Sequence, residues 1–522
     1  MTATFDAIVI GAGVNGLVAA AALGRAGRRV LLLERGASLG GEARASEFAP
    51  GYRAVPLALD PGWLPPMVVQ GLGLEGLAVD YADTAVSVSL GGGQFLGLAR
   101  DPAIAADTIR RYSASDAAKW AAFTSRLRKL TGFIEALYQL PPPDLDTTSL
   151  ADLVPLLGLA RKFRGLGRED MIELFRTMPM SVQELLDDWF ESEPLKAAVA
   201  AGGVKDIRQG PRSGGTSFVL LHHLVGLPLG AVRGASYWRG GPEAVATAVE
   251  DVARRANVTV RTAAAVERIT MRDDRVTGVA LASGEEIAAP VVISTADPVH
   301  TLLRLVDPVW LDAEFLRAVG NIKLRGARAT VLYALDRLPA VSGADGVVTL
   351  TPTLEAMERS YDAAKYGRVS EHPHVEFTVP SLRWPSLAPD GKHVLVAHAQ
   401  YAPYRLRDGA VWDAARREAL GEQVTRTIDT AVPGFAGSVL HRVTLTPKDL
   451  EDRYGLTEGA VTHGELTLDQ ILFMRPVPGA GRYAMPVEGL YLGGPGAHPG
   501  PGILGGAGWL AAKRVIADRK KK

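Results

Sequence analysis

Asp6-Ala7-Ile8-Val9-Ile10 runs straight into Gly11-Ala12-Gly13-Val14-Asn15-Gly16, then an alanine-rich stretch to Gly27, then Arg29-Val30-Leu31-Leu32-Leu33-Glu34. The order is apolar strand, glycine-rich turn, small-residue helix, second strand and acid. Each part suits a dinucleotide. Gly11 permits the tight turn out of the strand, Gly13 lets backbone approach a pyrophosphate, and Gly16 lets helix and strand pack closely. Amides at the helix start favour phosphate charge. Glu34 presents a carboxylate to ribose hydroxyls at the end of the second strand. A bare GxGxxG occurs in many loops; the strand before it, the helix after it and the acid beyond give this one its meaning. These residues alone do not decide between NAD and FAD.

Directly beyond Glu34 lies Arg35-Gly36-Ala37-Ser38-Leu39-Gly40-Gly41-Glu42-Ala43-Arg44. The glycine pair again permits close backbone approach to a ligand, and Arg44 has the planar fork that suits phosphate. At the other end of the chain, Gly489-Leu490-Tyr491-Leu492-Gly493-Gly494 enters a glycine- and proline-rich loop through Pro501-Gly502-Ile503 to Gly508, and a helix leaves it. Two strand–loop–helix ends so far apart favour one long cofactor held from both sides, which is FAD. No second strand–GxGxxG–helix–acid unit follows, so no separate nicotinamide domain is expected. The reduced flavin then needs another electron acceptor, such as a quinone or oxygen, or the cycle is redox-neutral.

The composition narrows the field. The chain has 522 residues, 57 basic against 57 acidic side chains, and no cysteine. That length calls for two or three lobes. Balanced charge gives no reason to expect a nucleic-acid partner. The missing cysteine excludes disulfides, thiolate metal sites and a dithiol relay, and no metal site is expected. The start is the dinucleotide strand rather than a secretory leader, and no uncharged apolar run reaches the ~20 residues that span a bilayer. A cytoplasmic protein, soluble or bound at a membrane surface, is the expectation. The basic end, Lys513-Arg514 and Arg519 to Lys522, reads as a solvated helix end; contact with an anionic membrane is the alternative.

Between the glycine-rich ends, residues near 100–235 read as mostly helical. Pro141-Pro142-Pro143 makes a stiff break, and Ser149 with Asp152 a helix start. Adjacent His222 and His223 point ~100° apart on a helix and cannot share a metal, so both read as core or interface histidines. Tyr237–Glu243 reads as a loop feeding a helix to Ala256. Ala265–Met271, Arg275–Leu281 and Glu286–Ile293 read as a small meander. Residues 325–450 mix strands with a helix near Val411–Thr430.

The motifs VIGAGVNGLVAAAAL from Val9, LERGASLGGEA from Leu33, LLDDWFESEPLKAAVAAGGV from Leu185, LLHH from Leu220, RGGPEAVATAV from Arg239, VISTADP from Val292, LTLDQILFMRP from Leu466 and GLYLGGPGAHPGPGILGGAG from Gly489 span nearly the whole chain. Together they resemble the phytoene desaturase-related flavoproteins, most of all the group called pyridine nucleotide-disulfide oxidoreductase domain-containing protein 2. The resemblance implies an α/β fold: a glutathione-reductase-type Rossmann FAD domain in three pieces, residues 1–90, 235–310 and 460–522. Residues 91–234 and 311–459 would form a partly helical second α+β lobe for the substrate. It implies that Glu34 binds the adenosine ribose, that Gly40, Gly41 and Arg44 lie along the cofactor, that Val266 and Ala296 lie near adenine, and that Gly494 and the Gly502-Ile503 helix start meet the ribityl chain and isoalloxazine. Glu42 and Pro501 depart from the family pattern. The implied reaction is desaturation, saturation or isomerisation of a long, apolar, unsaturated substrate.

Hydride removal from an unactivated carbon needs alignment more than acid–base groups, and no compact catalytic constellation is visible. His498, in the C-terminal loop, can shuttle a proton near the flavin or simply fix the turn. Asp469, Gln470 and Arg475 can gate the substrate mouth or tie the lobes together. Lys323 resembles the lysine of flavin amine oxidases only loosely. Two other readings stand beside the polyene enzyme: an oxygen-using amine oxidase with an aromatic cage drawn from Tyr237, Trp238 or Tyr491, and an FAD-binding protein without turnover. Oligomeric state is left open.

Overall fold

The computed structural model describes residues 5–57, 59–143, 150–234, 236–341 and 343–520. The opening strand, Ala7–Ile10, is fully buried and lies at the centre of a five-stranded sheet. The order is Leu490–Leu492, Val292–Ser294, Ala7–Ile10, Val30–Leu33, Thr259–Arg261, all parallel. Continuous β-branched and leucine runs suit strands covered on both faces. Helix Val14–Arg25 buries nine residues, mostly alanine and leucine, and packs against helices Ala244–Arg255 and Gly506–Lys520. The first and last helices touch where Gly508 donates its N–H to Asn15 Oδ1 at 3.2 Å.

The expected meander forms as Val266–Arg272, Arg275–Leu281 and Glu286–Ala288, antiparallel in that order. Its third strand ends early because Val292–Ser294 joins the parallel sheet instead. The second sheet has seven strands in the order Val439–Leu445, Arg328–Leu335, His393–Gln400, His374–Thr378, Val347–Thr349, Thr84–Gly91, Gln94–Ala99. It is antiparallel except where Val347–Thr349 meets Thr84–Gly91. Helix Ala414–Ala431 covers one face with Leu420, Val424 and Ile428.

Two expectations need correction. Thr84–Gly91 lies at the end of the first FAD-domain piece in the sequence reading, yet it pairs within the seven-stranded sheet. Tyr237 and Trp238 lie not in a loop but in strand Ser236–Trp238, which pairs with Val79–Tyr81. That short ribbon joins the two lobes, and Arg239 locks it with a bidentate pair to Asp80.

The helical region packs around Trp120, Phe123, Trp189 and Phe190. Ser149 lies outside the described residues; helix Leu150–Gly165 follows it. No helix among the described residues is long and apolar enough to cross a membrane. At the basic end, Lys513 Nζ lies 4.7 Å from the Trp509 ring centroid, Arg514 pairs with Asp518, and Arg519 donates to the Pro290 carbonyl. Lys521 and Lys522 lie outside the described residues.

Candidate functional site

The first turn is built backbone against backbone. Gly11 has φ +90°, a conformation that glycine adopts without strain. A Cβ on Gly16 would stand 1.8 Å from the Gly11 carbonyl oxygen, so only glycine fits there. The second glycine pair docks on the first: Gly40 N–H donates to Ala12 O at 2.8 Å. Glu34 then fastens both turns. Its Oε2 accepts from Ala12 N–H at 2.8 Å and its Oε1 from Gly36 N–H at 2.7 Å. Each oxygen keeps a lone pair free, and the carboxylate is already oriented.

These turns line a cavity of about 830 Å³ between the two sheets. Gly11, Gly13, Asn15, Glu34, Arg35, Gly40, Gly41, Val266, Ala296, Gly502 and Ile503 all face it. A Cβ on Gly13 would meet nothing within 4 Å, so its bare backbone opens onto the cavity beside the start of helix Val14–Arg25. The far glycine loop arrives on the opposite wall and is fixed there by Trp63. Trp63 N–H donates to Gly502 O at 2.9 Å, and Leu504 N–H to Trp63 O at 2.7 Å. An oriented carboxylate at the strand end, an open glycine turn at a helix start and a second glycine loop across the cavity fit a long dinucleotide such as FAD.

Five expected site residues do not line the cavity. Ala12 is fully buried and acts through its N–H on Glu34. Gly16 works by close packing. Arg44 spends its fork within the protein: Nε donates to Leu39 O, Nη2 lies 3.3 Å from Glu250 and Nη1 3.6 Å from Glu243. It is therefore a strut for the turn rather than a phosphate ligand. Gly494 lies against the Thr295 carbonyl, where a Cβ would come within 2.2 Å. His498, only 1% exposed, donates from Nε2 to Leu140 O at 3.1 Å and lies edge-on to Tyr138. Burial holds its pKa down to about 3. A buried neutral imidazole outside the cavity is a turn anchor, and the proton-shuttle role is withdrawn.

His222 takes a place His498 was expected to fill. Its Nε2 lies 2.8 Å from the Pro501 carbonyl, so that nitrogen carries the proton, and Nδ1 accepts from the Tyr138 hydroxyl at 2.7 Å. Burial pulls its pKa down to about 4. Tyr138 and His222 thus pin the loop carrying Gly502. Glu42 also lines the cavity. Burial pushes its carboxyl up to about 7, against the lowering effect of Arg328 and with a further rise from Asp206. Lys205, His223, Asp60 and Trp63 complete the walls that sequence reading did not place. Asp60-Pro61-Gly62-Trp63 is a turn signal, but nothing local shows which distant segment it meets.

The remaining candidates lie elsewhere. Lys323 Nζ pairs with Asp469 at 3.0 Å, and its N–H donates to Gln470 Oε1. Arg475 is buried among backbone carbonyls. Neither borders the cavity. No group of histidine and carboxylate side chains among the described residues can hold a metal ion.

Comparison with known proteins places this site in a family. The family model for NAD(P)-binding Rossmann-like domains matches residues 9–65. Pyridine nucleotide-disulfide oxidoreductase domain-containing protein 2 of Rattus norvegicus is 34% identical, over 99% of this chain and 94% of the rat protein. The chain belongs to that family. A phytoene desaturase (neurosporene-forming) of Cereibacter sphaeroides is 24% identical over 99% of this chain and 96% of its own. Among solved structures, a putrescine oxidase variant superposes with a TM-score of 0.59 at 15% identity, covering 98% of this chain and 99% of that one, which shows a shared fold. This family member is an FAD-dependent oxidoreductase with a Rossmann-type cofactor domain. The disulfide in the family's name has no counterpart here, because the chain contains no cysteine.

Acid should loosen this protein. His222 and His374 are held down to about 4 and His498 to about 3, each chiefly by burial. The unfolded chain binds their protons below about 6.5, so folded stability falls as pH drops through that value. Glu42, raised to about 7, and Glu465, also raised by burial, act in the opposite sense, but the lowered histidines, which include His463 at about 4 and His223 and His398, outnumber them. The urea midpoint at pH 5 is expected to lie below that at pH 7.5; an equal or higher midpoint would show that the histidines are not buried neutral.

Proposed function

We propose that the protein oxidises or reduces carbon–carbon bonds of a lipophilic, unsaturated small molecule, by desaturation, saturation or isomerisation of a polyene- or retinoid-like chain. The observation that carries this reading is the cavity of about 830 Å³ running from the cofactor turns to an apolar wall of Leu57, Trp63, Tyr81, Trp384, Leu387 and Val396. Similarity to phytoene desaturases along the whole chain supports it. Bound FAD supplies hydride acceptance and donation. The chain's own contribution is alignment and exclusion of water: the aromatic wall holds an extended apolar chain, and the Trp63–Gly502 clamp sets the distance between that wall and the cofactor loop. In desaturation the substrate would give a hydride to the bound flavin and a proton to solvent, and a quinone or oxygen would take the two electrons from the cofactor.

Anaerobic mixing of the FAD-loaded protein with detergent-dispersed phytoene or retinol tests this. Loss of flavin colour, with a product two hydrogens lighter by mass spectrometry, is the expected result. Bleaching by amines alone, with peroxide formed in air, would replace the proposal with an amine oxidase. Colour retained against both classes, with no saturated or isomerised product when the flavin is supplied reduced, would mark an FAD-binding protein without turnover. The proposed amine cage is poorly built. Arg383 already lies over the Tyr237 ring at 4.5 Å, and Tyr491 binds Asp518 away from the cavity.

A further inference from the structure

Besides Arg35 and Arg453, which also line the cavity without an ion pair among the described residues, the wall holds a third unpaired cation. Lys205 lies between helices Glu193–Ala200 and Thr216–His223, is half-buried and faces the cavity. No carboxylate comes within ion-pair distance of its Nζ among the described residues. The two neighbouring arginines are already paired. Arg233 and Glu376 form a buried bidentate pair at 2.8 and 2.7 Å. Arg328 binds Asp206 and the Leu57 carbonyl, with His398 Nδ1 at 3.0 Å. Asp60 shares the wall, but its Oδ1 accepts from Gly62 N–H and the Ser236 hydroxyl, and its Oδ2 is pressed onto Gly234.

A second unfilled group stands beside it. The His223 ring is hydrogen-bonded to the Lys205 backbone, while its Nε2 is buried with no partner. Lys205 also helps keep His222, His223 and His398 neutral, so this end of the cavity carries positive potential. A cation left in a partly desolvated wall is costly unless something pairs with it. An orphaned buried nitrogen adds to that cost. One unmatched positive charge calls for a monoanion rather than a dianionic phosphate.

We propose that Lys205 and His223 form a carboxylate-binding subsite, so that the lipophilic substrate is an acid whose head group rests at Lys205 while its unsaturated chain lies along the aromatic wall. This rests on the lipophilic-substrate reading above and narrows it from hydrocarbons to amphipathic acids. A bound carboxylate satisfies the Lys205 charge and favours a proton on His223 Nε2, which then becomes a second donor to the head group.

The test uses the FAD-loaded full chain with all-trans-retinoic acid and all-trans-retinol, which share a polyene and differ in the head group. Binding is read from quenching of tryptophan emission, since Trp63 and Trp384 line the cavity. The acid is expected to bind at least tenfold more tightly than the alcohol at low salt. Lys205→Met is expected to abolish that preference without changing retinol affinity, and Lys205→Arg to keep most of it. Flavin content and thermal midpoint check that each variant is folded. Equal binding of acid and alcohol by the wild-type protein, or a preference that survives in Lys205→Met, overturns the subsite and leaves the lipophilic reading standing. Binding of neither compound overturns both. The wild-type comparison decides the matter even if a variant fails to fold.

Discussion

Glu34→Ala is expected to weaken FAD binding by about 1–3 kcal/mol, the worth of hydrogen bonds to a charged group, or about 5- to 150-fold in Kd. The carboxylate has two tasks. Toward the cavity its free lone pairs would accept from ribose hydroxyls, and toward the protein it accepts from Ala12 N–H and Gly36 N–H. Glu34→Gln separates these tasks. It keeps one acceptor oxygen but loses the charge, so it should fall between wild type and alanine. Titration of the apoprotein with FAD, followed by flavin fluorescence, measures both. Affinity unchanged in the alanine variant would mean that the cofactor ribose does not sit at this strand end.

The largest effect on stability should come from Arg475. Its guanidinium, 2% exposed, has no carboxylate partner among the described residues. Instead it donates to the carbonyls of Thr462, Gly464, Glu465, Gln470 and Pro495, with Thr462 nearest at 2.6 Å. Burial lowers its pKa to about 10, still well above neutral. Arg475→Met removes every donor at once and leaves five carbonyls to find other partners. Disruption of a buried network on this scale lies in the exceptional range of about 4 kcal/mol or more. Urea unfolding of wild type and variant reads the change directly. A shift under ~1 kcal/mol would show that water takes over these carbonyls. Lysine cannot substitute, because one ammonium has three donors where this fork uses its fixed planar geometry.

The parts of the site that sequence shows are those whose physics is local. Gly11, Gly13, Gly16 and Glu34 belong to one continuous strand–turn–helix–strand unit, and the spacing that defines it also builds it. The parts that sequence hides come from encounters between distant segments. Trp63 matters because it meets Gly502, and Lys205 because no carboxylate among the described residues comes within ion-pair distance of it. Arg44 shows the converse: its side chain suits phosphate, but Glu243 and Glu250 from a helix two hundred positions away claim it. Strand errors have a similar origin. Ser236–Trp238 has three residues, too few for any period to register. His498 and His222 look alike in sequence, and only their placement beside Leu140 and Pro501 separates a turn anchor from a wall of the cavity.

The strand order of the five-stranded sheet has a consequence for synthesis. Its neighbours come from the first ten residues, from the middle of the chain and from Leu490–Leu492 near the end. A ribosome therefore releases the glycine turn long before the strand and loop that complete its opposite wall exist. Such non-local pairing folds slowly and leaves apolar surface open in the interval. Both walls of the cavity are in place only once the C-terminal helix has docked on the N-terminal one. Flavin supply would set the yield of folded protein by mass action.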